Sequence, residues 1–452
     1  MIDPLPPAWI PFASRSAPRY TSYPTAIAFR PVKAGDDVLW SEDGAEVALS
    51  LYVHVPFCER LCWYCGCNTT IVSSYERIAA FHEVLLKEID LWRTRAAFAK
   101  GRVRHLHFGG GSPNALRPED FGAVVRALQD VFVFAPDAEI AVELDPALLN
   151  PAFIDGLGQV GVTRVSLGVQ TFDADVQALI NRPQPFAQVE DAVRRLRQAG
   201  VRGVNFDLMY GLPAQTPDNV AATARLAASL EPDRLAVFGY AHVPWMKKHQ
   251  RLIEEGALAD VSGRWAQAGA ADAVLTEEGY RRIGLDHYAR PRDPLSRALD
   301  ERRLRRNFQG YTDDPASILI PFGPSAIGQR PSAMVQNAVD ARTWREAVRA
   351  GRLPVARALA VTDEDRLRGE VIESLMTYLD VDLEATCLRH GVEAGRLDAC
   401  LEALRPLEDA GLCEATGRRV RIPEAARRLA RVTAAAFDAH LAEAEGRHAR
   451  AI

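Results

Sequence analysis

The chain has 452 residues, a formal net charge of −5 at pH 7 and 48% hydrophobic residues. This composition is typical of a globular protein with about two or three domains. It has no apolar run long enough to cross a bilayer, and its charge balance is mildly acidic, with the Arg-rich stretch Arg297–Arg306 mixed with acids. We therefore expect neither a membrane nor a nucleic-acid partner.

Residues 1–47 read as an irregular segment with several prolines, and they include the run PRYTSYPTA at Pro18–Ala26. Two tyrosines flanked by hydroxyl residues indicate a packed segment rather than a disordered tail. The first ten residues, MIDPLPPAWI, lack the basic and apolar regions of a secretory signal. We therefore expect a cytoplasmic protein, in which cysteines stay reduced.

From about Ala48 the chain alternates β-rich runs with amphipathic stretches, which predicts a parallel sheet. The strands are predicted at Leu49–Val55, Val103–Phe108, Glu139–Leu144, Arg164–Val169, Val204–Tyr210 and Arg234–Phe238. Helices are predicted at Tyr75–Thr94, Pro118–Val131, Pro185–Gly200 and Pro217–Leu230. Six strand–helix units predict a partial (β/α)6 barrel, with a doubly wound sheet as the alternative. The polar motifs follow the strand ends, where barrel active sites are built.

Four cysteines directly follow the first predicted strand, in PFCERLCWYCGC. Cys58, Cys62 and Cys65 have the spacing C-x3-C-x2-C, which suits a [4Fe–4S] cluster with one iron left open for a ligand. Cys67 is too close to Cys65 to join the same cluster. A zinc site is the alternative, but zinc needs further ligands. The remaining cysteines lie far away in the sequence, at Cys387, Cys400 and Cys413.

Each later strand also ends in a candidate ligand-binding group. The second is followed by HFGGGSP, whose glycines let the backbone approach a ligand. Glu143 ends the third strand, and Gln170 ends the fourth. Arg182 follows in NRPQ, where a guanidinium can pair with a carboxylate. Asp207 lies in an otherwise apolar strand, so it must be paired or functional.

After Pro354 the strand pattern fades and helical sequence dominates. We predict helices at Glu364–Leu379 and Glu424–Ala444, with a helix, a turn and a short β pair between them. This arrangement is similar to a winged helix, and we expect residues 355–452 to act as a lid or packing domain. The predicted organisation is thus an N-terminal substrate-covering segment (1–47), a barrel (48–354) and a mostly helical C-terminal domain (355–452).

Taken together, these motifs resemble one family over nearly the whole chain. PRYTSYPTA, the cysteine loop, HFGGGSP, VELDP, SLGVQTF, DLMYGLP, FGYAHVP, GLDHYARP and NFQGYT occur in the order found in oxygen-independent coproporphyrinogen III oxidases. These are radical S-adenosylmethionine (SAM) enzymes. Two features, the run PRYTSYPTA (Pro18–Ala26, the leader) and Cys67, distinguish them from haem-chaperone-like relatives.

The resemblance implies one [4Fe–4S] cluster on Cys58, Cys62 and Cys65, and two bound SAM molecules. Residues matching positions at the cluster-bound SAM are Tyr52, Gly110, Glu143 and Ile327. Residues matching positions at the second SAM are Tyr64, Gly111, Ser112, Gln170, Arg182, Asp207 and Ala241. Pro321 and Pro324 near Ile327 depart from the family pattern.

The function that this resemblance implies is the oxidative decarboxylation of two propionates of coproporphyrinogen III to vinyl groups, in haem biosynthesis. The expected partners are this substrate, an electron donor and an electron acceptor, and the expected state is a monomer. Arg19, Arg290 and Arg306 are candidates for binding propionates, and we expect the leader to close over the tetrapyrrole with both tyrosines against the site. The alternatives are a radical-SAM methyltransferase or cyclopropanase and a haem-binding chaperone without turnover.

Overall fold

The computed structural model describes residues 3–32, 47–94, 101–441 and 450–452. Parts of two predicted features lie outside these ranges: residues 33–46 of the N-terminal segment, and the last three residues of the helix predicted at Glu424–Ala444. In the described residues, no helix has the length and hydropathy needed to span a bilayer.

Six consecutive parallel strands form the centre of the structure. They are β1 (Ala48–Val55), β2 (Arg102–Gly110), β3 (Val133–Leu144), β4 (Arg164–Gln170), β5 (Gly203–Tyr210) and β6 (Arg234–Gly239). Neighbouring strands pair in chain order, which is the topology of a barrel and not of a doubly wound sheet. Their Val-, Leu- and Phe-rich sequences fit strands that are covered on both faces.

Additional strands extend the sheet beyond both edges of this set. Ile318–Phe322 pairs parallel to β1, and the antiparallel strands Ile327–Arg330, Ala333–Asn337, Val355–Ala360 and Arg30–Pro31 follow it. At the other edge, His287–Ala289 and Arg281–Ile283 add to β6. The result is one 13-stranded sheet whose two edge strands do not pair with each other in the described residues.

Helices connect the strands and cover the outside of the sheet. They are α1 (Tyr75–Asp90), α2 (Pro118–Val131), α3 (Pro151–Gln159), α4 (Ala174–Leu179), α5 (Phe186–Gln198), α6 (Pro217–Ser229) and α7 (Val261–Glu277). Local sequence sets their starts: Pro118 occupies the first turn of α2, and Thr216 and Asn219 form a capping box at α6. Shorter helices are Ile10–Ala13, Pro294–Asp300 and Ala341–Arg349.

The C-terminal region forms a second, separate hydrophobic core. Its helices are Asp363–Tyr378, Leu383–Arg389, Asp398–Asp409 and Ala430–Ala434, and its small sheet contains Asp380–Asp382, Glu414–Thr416 and Arg419–Arg421. Leu5, Trp9, Phe12 and Tyr20 of the N-terminal segment are buried in this same core. We call these two parts together the terminal module (residues 3–29, 361–441 and 450–452).

Two features differ from the sequence-based predictions. Val355–Ala360 pairs within the large sheet, so the change of architecture falls after Ala360 rather than after Pro354. The helix predicted from Glu424 is broken into a 3-10 turn at Glu424–Leu429, an α-helix at Ala430–Ala434 and a 3-10 turn at Ala435–Phe437. The buried Arg431 lies in this short α-helix and donates to the backbone carbonyls of Ala17 and Ala451.

Candidate active site

A cavity of about 530 Å³ lies at the carboxyl ends of the barrel strands. It contains most of the side chains predicted from the sequence. The predicted residues lining it are Cys58, Cys62, Tyr64, Cys65, Gly110, Gly111, Ser112, Glu143, Gln170, Arg182, Asp207 and Ala241. We call this space the site cavity.

Polar groups surround the sulfur atoms of the cysteine loop. The Thr69 hydroxyl donates to Cys58 Sγ at 3.1 Å, and the Ser112 hydroxyl does so at 3.6 Å. Arg182 Nη1 donates to Cys62 Sγ at 3.4 Å. Burial raises the pKa of both the Cys58 and the Cys62 thiol, and these hydrogen bonds and the charge of Arg182 oppose that rise by stabilising the thiolate, the form of cysteine that binds metal.

The loop that follows β6 holds the cysteine loop in place through its backbone carbonyls. Lys247 Nζ donates to Cys67 O at 2.8 Å, and Gln250 Nε2 donates to Tyr64 O at 2.9 Å. His249 Nε2 lies 2.8 Å from Cys65 O. Hydrogen bonding from Cys67, helped by Lys247, lowers the pKa of Cys65 to about 6.

These donors fit an iron–sulfur cluster better than a single metal ion. Within the described ranges, no three His, Cys, Asp or Glu side chains converge on one point, as the ligands of a zinc ion do at about 2.0–2.3 Å. Cys58, Cys62 and Cys65 instead all line the site cavity. Iron–sulfur clusters are held by cysteine thiolates of this kind.

The three glycines at the carboxyl end of β2 (Gly109, Gly110 and Gly111) are enclosed mainly by the protein's own atoms. A side-chain carbon at Gly109 would lie 2.8 Å from the Glu143 carboxylate, and one at Gly111 would lie 2.5 Å from Phe57 O. At Gly110, which has φ +107°, it would meet the His54 ring at 2.5 Å. The glycines therefore let the cysteine loop, β1 and β3 come together, while Gly110 and Gly111 still face the site cavity.

Glu143 belongs to a chain of polar contacts that runs along β1 and β2. His107 Nε2 lies 3.0 Å from Glu143 Oε1, and the Gly110 N–H donates to Glu143 Oε2 at 3.3 Å. Burial alone would raise the pKa of Glu143, but His107 and this N–H hold it below its usual value. Glu143 therefore faces the site cavity as a carboxylate, which suits the binding of an ammonium or hydroxyl group.

Tyr52 and Ile327 are placed differently from the other predicted residues. The Tyr52 ring stacks on His107, and its hydroxyl lies 3.1 Å from His54 Nδ1. Tyr52 thus lies behind Glu143 and does not line the site cavity. Ile327 begins a strand of the antiparallel extension and is also absent from the cavity wall. The structure therefore does not bring these two residues together with the rest.

Asp207 lines the site cavity with little compensation for its charge. Burial, with the nearby Glu143 as a second cause, raises the pKa of Asp207 to about 7. The Ser166 hydroxyl donates to Asp207 Oδ2 at 3.2 Å. Asp207 is therefore poised between its two protonation states near neutral pH.

Arg182 pairs with Asp145, a residue that was not predicted to take part in the site. Its Nη2 donates to Asp145 Oδ1 at 3.2 Å and to Gly168 O at 2.7 Å. Asp145 also begins the next turn by accepting from the Ala147 N–H. The guanidinium thus joins Asp145 to the sulfur of Cys62, while its Nε has no hydrogen-bond partner in the described residues.

The leader reaches the site with one residue only. Arg19 lines the site cavity and donates to Gly239 O at 2.9 Å. The Tyr20 hydroxyl donates instead to Asp438 at 3.0 Å, and Tyr23 accepts from the Ala439 N–H at 2.9 Å. The expectation that both tyrosines lie against the site is therefore wrong, because they complete the core of the terminal module.

The sequence analysis missed several supporting residues. His54 lies two residues before the cysteine motif, and the alternation of β1 places it on the same face as Tyr52. His107 is the first residue of HFGGGSP, of which only the glycines were interpreted. Thr69, which contacts Cys58, lies close after the cysteines in the sequence. The anchors Lys247 and Gln250 gave no signal, because their partners are 180 and 186 positions away in the sequence.

Comparison with known proteins identifies the family. The Radical SAM superfamily profile matches residues 52–227, and the HemN C-terminal domain profile matches residues 361–429. An oxygen-independent coproporphyrinogen III oxidase of Bradyrhizobium diazoefficiens is 46% identical over 448 residues, which is 98% of this chain and 99% of the relative. The chain belongs to the oxygen-independent coproporphyrinogen III oxidase family.

Other relatives of the family agree over a similar length. The Paracoccus denitrificans oxidase is 40% identical and covers 96% of each chain. The solved structure of Escherichia coli coproporphyrinogen III oxidase (HemN), a radical SAM enzyme, matches with a TM-score of 0.88 at 34% identity. That match covers 93% of this chain and 97% of the E. coli chain, so the family's barrel and its C-terminal region are both present.

Proposed function

We propose that this protein converts coproporphyrinogen III into protoporphyrinogen IX by oxidative decarboxylation of two propionate side chains. The observation that carries the proposal is the site cavity, whose wall holds three thiols beside Glu143 and Asp207. Full-length relatives bearing the oxidase name support it.

The cluster and SAM, when bound, supply a 5′-deoxyadenosyl radical that removes a hydrogen atom from the β-carbon of a propionate. The side chain then loses CO2 and one further electron, which leaves a vinyl group. An external donor provides the reducing electron, and an acceptor takes the last one. We infer a cytoplasmic monomer for this reaction.

The protein's own residues bind and orient these groups. Cys58, Cys62 and Cys65 are the proposed cluster ligands, and Cys67 is left free to hydrogen-bond Cys65. Glu143 and Gly110 face the position proposed for the first SAM, with Tyr52 and His107 supporting Glu143 from behind. Ile327 remains a proposal without a cavity contact.

A second SAM is part of the proposal. All seven residues assigned to it line the site cavity: Tyr64, Gly111, Ser112, Gln170, Arg182, Asp207 and Ala241. Asp207 and Arg182 supply opposite charges on the same cavity wall, which suits an amino acid with both an ammonium and a carboxylate.

Product analysis tests the proposed function. The reconstituted protein is incubated anaerobically with SAM, a reductant and coproporphyrinogen III, and the tetrapyrroles are separated after oxidation. We expect protoporphyrin with two vinyl groups and the release of two CO2. Methylated tetrapyrrole would indicate a methyltransferase instead, and recovery of unchanged substrate would indicate a binding protein without turnover.

A further inference from the structure

A second, smaller cavity lies next to the site cavity and is strongly basic. It has a volume of about 60 Å³, and six of its 18 lining residues are arginines: Arg19, Arg264, Arg306, Arg428, Arg431 and Arg450. Asp286 is the only acidic side chain among the lining residues. We call this cavity the arginine pocket.

The arginines come from segments that are far apart in the sequence. Arg19 belongs to the leader, Arg264 to α7, Arg306 to the strand Arg305–Asn307, and the other three to the C-terminal region. Bringing like charges together with partial burial is unfavourable unless an anion compensates them. The convergence of these segments therefore indicates a site built for a negatively charged group.

Two of the arginines already have acidic partners. Arg428 Nη2 lies 3.5 Å from Asp272, and Arg306 Nη1 lies 3.9 Å from Asp286. Asp286 Oδ1 also lies 2.7 Å from His287 Nδ1, so the Asp286 carboxylate is shared between His287 and Arg306. Arg306 Nη1 is buried without a hydrogen-bond partner in the described residues.

Three other arginines donate only to backbone carbonyls in the part of the chain that the structure describes. Arg19 bonds Gly239 O, Arg264 bonds Tyr240 O at 2.7 Å and Gly211 O at 3.4 Å, and Arg431 bonds Ala17 O and Ala451 O at 3.2 Å each. Arg431 is 7% exposed, so its charge is largely removed from water. Burial and the neighbouring arginines lower the pKa of both Arg264 and Arg431.

The backbone around Arg264 is shaped to admit its guanidinium. A side-chain carbon at Gly211, which has φ +77°, would clash with Arg264 Nη1, and one at Gly239 would lie 3.2 Å from Arg264 Nη2. Gly239 is also the residue whose carbonyl accepts from Arg19. Two glycines thus make room for one of the uncompensated charges.

The arginine pocket and the site cavity share a wall. Arg19, Phe238, Gly239, Tyr240 and Ala241 line both spaces. The pocket has room for a carboxylate or a few water molecules, but not for a tetrapyrrole ring. A ligand that fills the site cavity therefore reaches the pocket with a short anionic side chain.

We infer that the arginine pocket binds a propionate carboxylate of the tetrapyrrole substrate, with Arg19 and Arg264 as its principal donors. This inference rests on the proposed function for the identity of the substrate. The bound propionate is one that does not react, because none of the cysteines lines the pocket. Binding one carboxylate here fixes the ring's orientation, so that another propionate lies beside the cysteines.

The test measures binding separately from turnover. Coproporphyrin III, the stable oxidised form with the same four propionates, is titrated into the reconstituted protein, and its fluorescence gives the dissociation constant. Arg19→Gln and Arg264→Gln should each weaken binding by about tenfold or more, since each removes a charge-assisted hydrogen bond. Arg19→Lys should recover part of the loss.

Arg290→Gln is the matched control. The sequence suggested Arg290 as a candidate for binding propionates, but the structure does not place it at either cavity. It lies over the Tyr280 ring and donates to Glu278 O, and it lines neither the arginine pocket nor the site cavity. Its dissociation constant should stay within about twofold of the wild-type value. If Arg264→Gln does not fold, Arg264→Lys and the Arg19 variants provide the same comparison.

Unchanged binding in the pocket variants would overturn the inference, and so would an equal loss in Arg290→Gln. Failure of the proposed function gives a different result. In that case the wild-type protein forms no vinyl groups in the product assay. The titration with coproporphyrin III needs no turnover, so it still shows whether binding depends on Arg19 and Arg264.

Discussion

The site cavity and the terminal module are assembled in different ways. The cavity takes its residues from the ends of consecutive strands, each close to a recognisable motif. The terminal module instead joins residues from opposite ends of the chain: Trp9 Nε1 donates to Ala410 O across 401 positions. The residues proposed for chemistry thus lie in short motifs at the strand ends of the barrel. The terminal module that packs beside them depends on contacts between distant parts of the sequence.

Arg19 connects these two regions. Its neighbours in the leader are fixed in the terminal module through Tyr20, while its own side chain reaches the site cavity. The comparison therefore predicts that changes at the strand ends abolish chemistry without unfolding the protein. Changes in the leader core should instead affect stability first.

The largest effect is expected for the cysteine ligands. Cys58→Ala, Cys62→Ala or Cys65→Ala should each abolish cluster binding, because each removes one of only three thiolate ligands. Iron content and the visible absorption of the reconstituted protein measure this. Cys67→Ala is the matched control and should retain iron; loss of iron equal to that of the other three would show that the ligand assignment is wrong.

Deleting residues 1–30 should strongly destabilise the terminal module. The deletion removes Trp9, Phe12 and Tyr20 from its core, and burying a large apolar side chain contributes about 1.5–3 kcal/mol. Thermal unfolding and limited proteolysis of the C-terminal region measure the loss. Arg19→Gln leaves this core intact and should keep the wild-type unfolding temperature. A truncated protein as stable as the full chain would show that the leader is a removable cover.

Most of the barrel was predictable because its signals are local. All six predicted strands are confirmed to within a few residues at their carboxyl ends, and α2 was predicted with its observed bounds. The strand Ile318–Phe322 was not predicted, and a proline such as Pro321 argues against a strand within a sheet. Pro321 is tolerated there because the strand's antiparallel pairing is limited to the Leu319–Gln329 pair.

The arrangement around the termini was not predictable from local pattern. The Ala-rich sequence after Glu424 favours a helix, but the observed α-helix is limited to Ala430–Ala434. The buried Arg431 within it donates to carbonyls of both terminal segments, and local sequence gives no sign of such distant partners. The pairing of Arg182 with Asp145 was likewise missed, because a residue before proline indicates a turn and gives no sign of its tertiary partner.

Asp207→Asn should reduce decarboxylation by about one hundredfold while cleavage of SAM without substrate continues. The change removes a charge from the second SAM position but leaves the cysteine loop untouched. Methionine release and vinyl formation are measured on the same samples. Equal loss of both activities would assign Asp207 to the first SAM or to folding.

The pH dependence sharpens this prediction. Asp207 has a raised pKa of about 7, so its carboxylate forms only as the pH rises through that value. The apparent affinity for SAM in decarboxylation should therefore increase from pH 6 to 8 in the wild-type protein. Asp207→Asn should lack this increase. An identical rise in the variant would show that another group causes it.

The smallest effect is expected at His107, which hydrogen-bonds Glu143 but does not itself line the site cavity. His107→Phe removes the hydrogen bond that keeps the Glu143 pKa low, so this pKa should rise and activity should fall by about tenfold. Because a lowered pKa keeps a carboxylate ionised in acid, the variant should lose activity at a higher pH than the wild type. His107→Gln retains a donor and should keep the wild-type pH profile; a shifted profile there would contradict this role.

The most direct measurement is a crystal structure of the anaerobically reconstituted protein with SAM and coproporphyrin III. The account predicts a cluster on Cys58, Cys62 and Cys65, with Cys67 unligated. It also predicts the ring in the site cavity and one propionate between Arg19 and Arg264. A cluster ligated by Cys67, or a tetrapyrrole whose carboxylates all lie outside the arginine pocket, would contradict it.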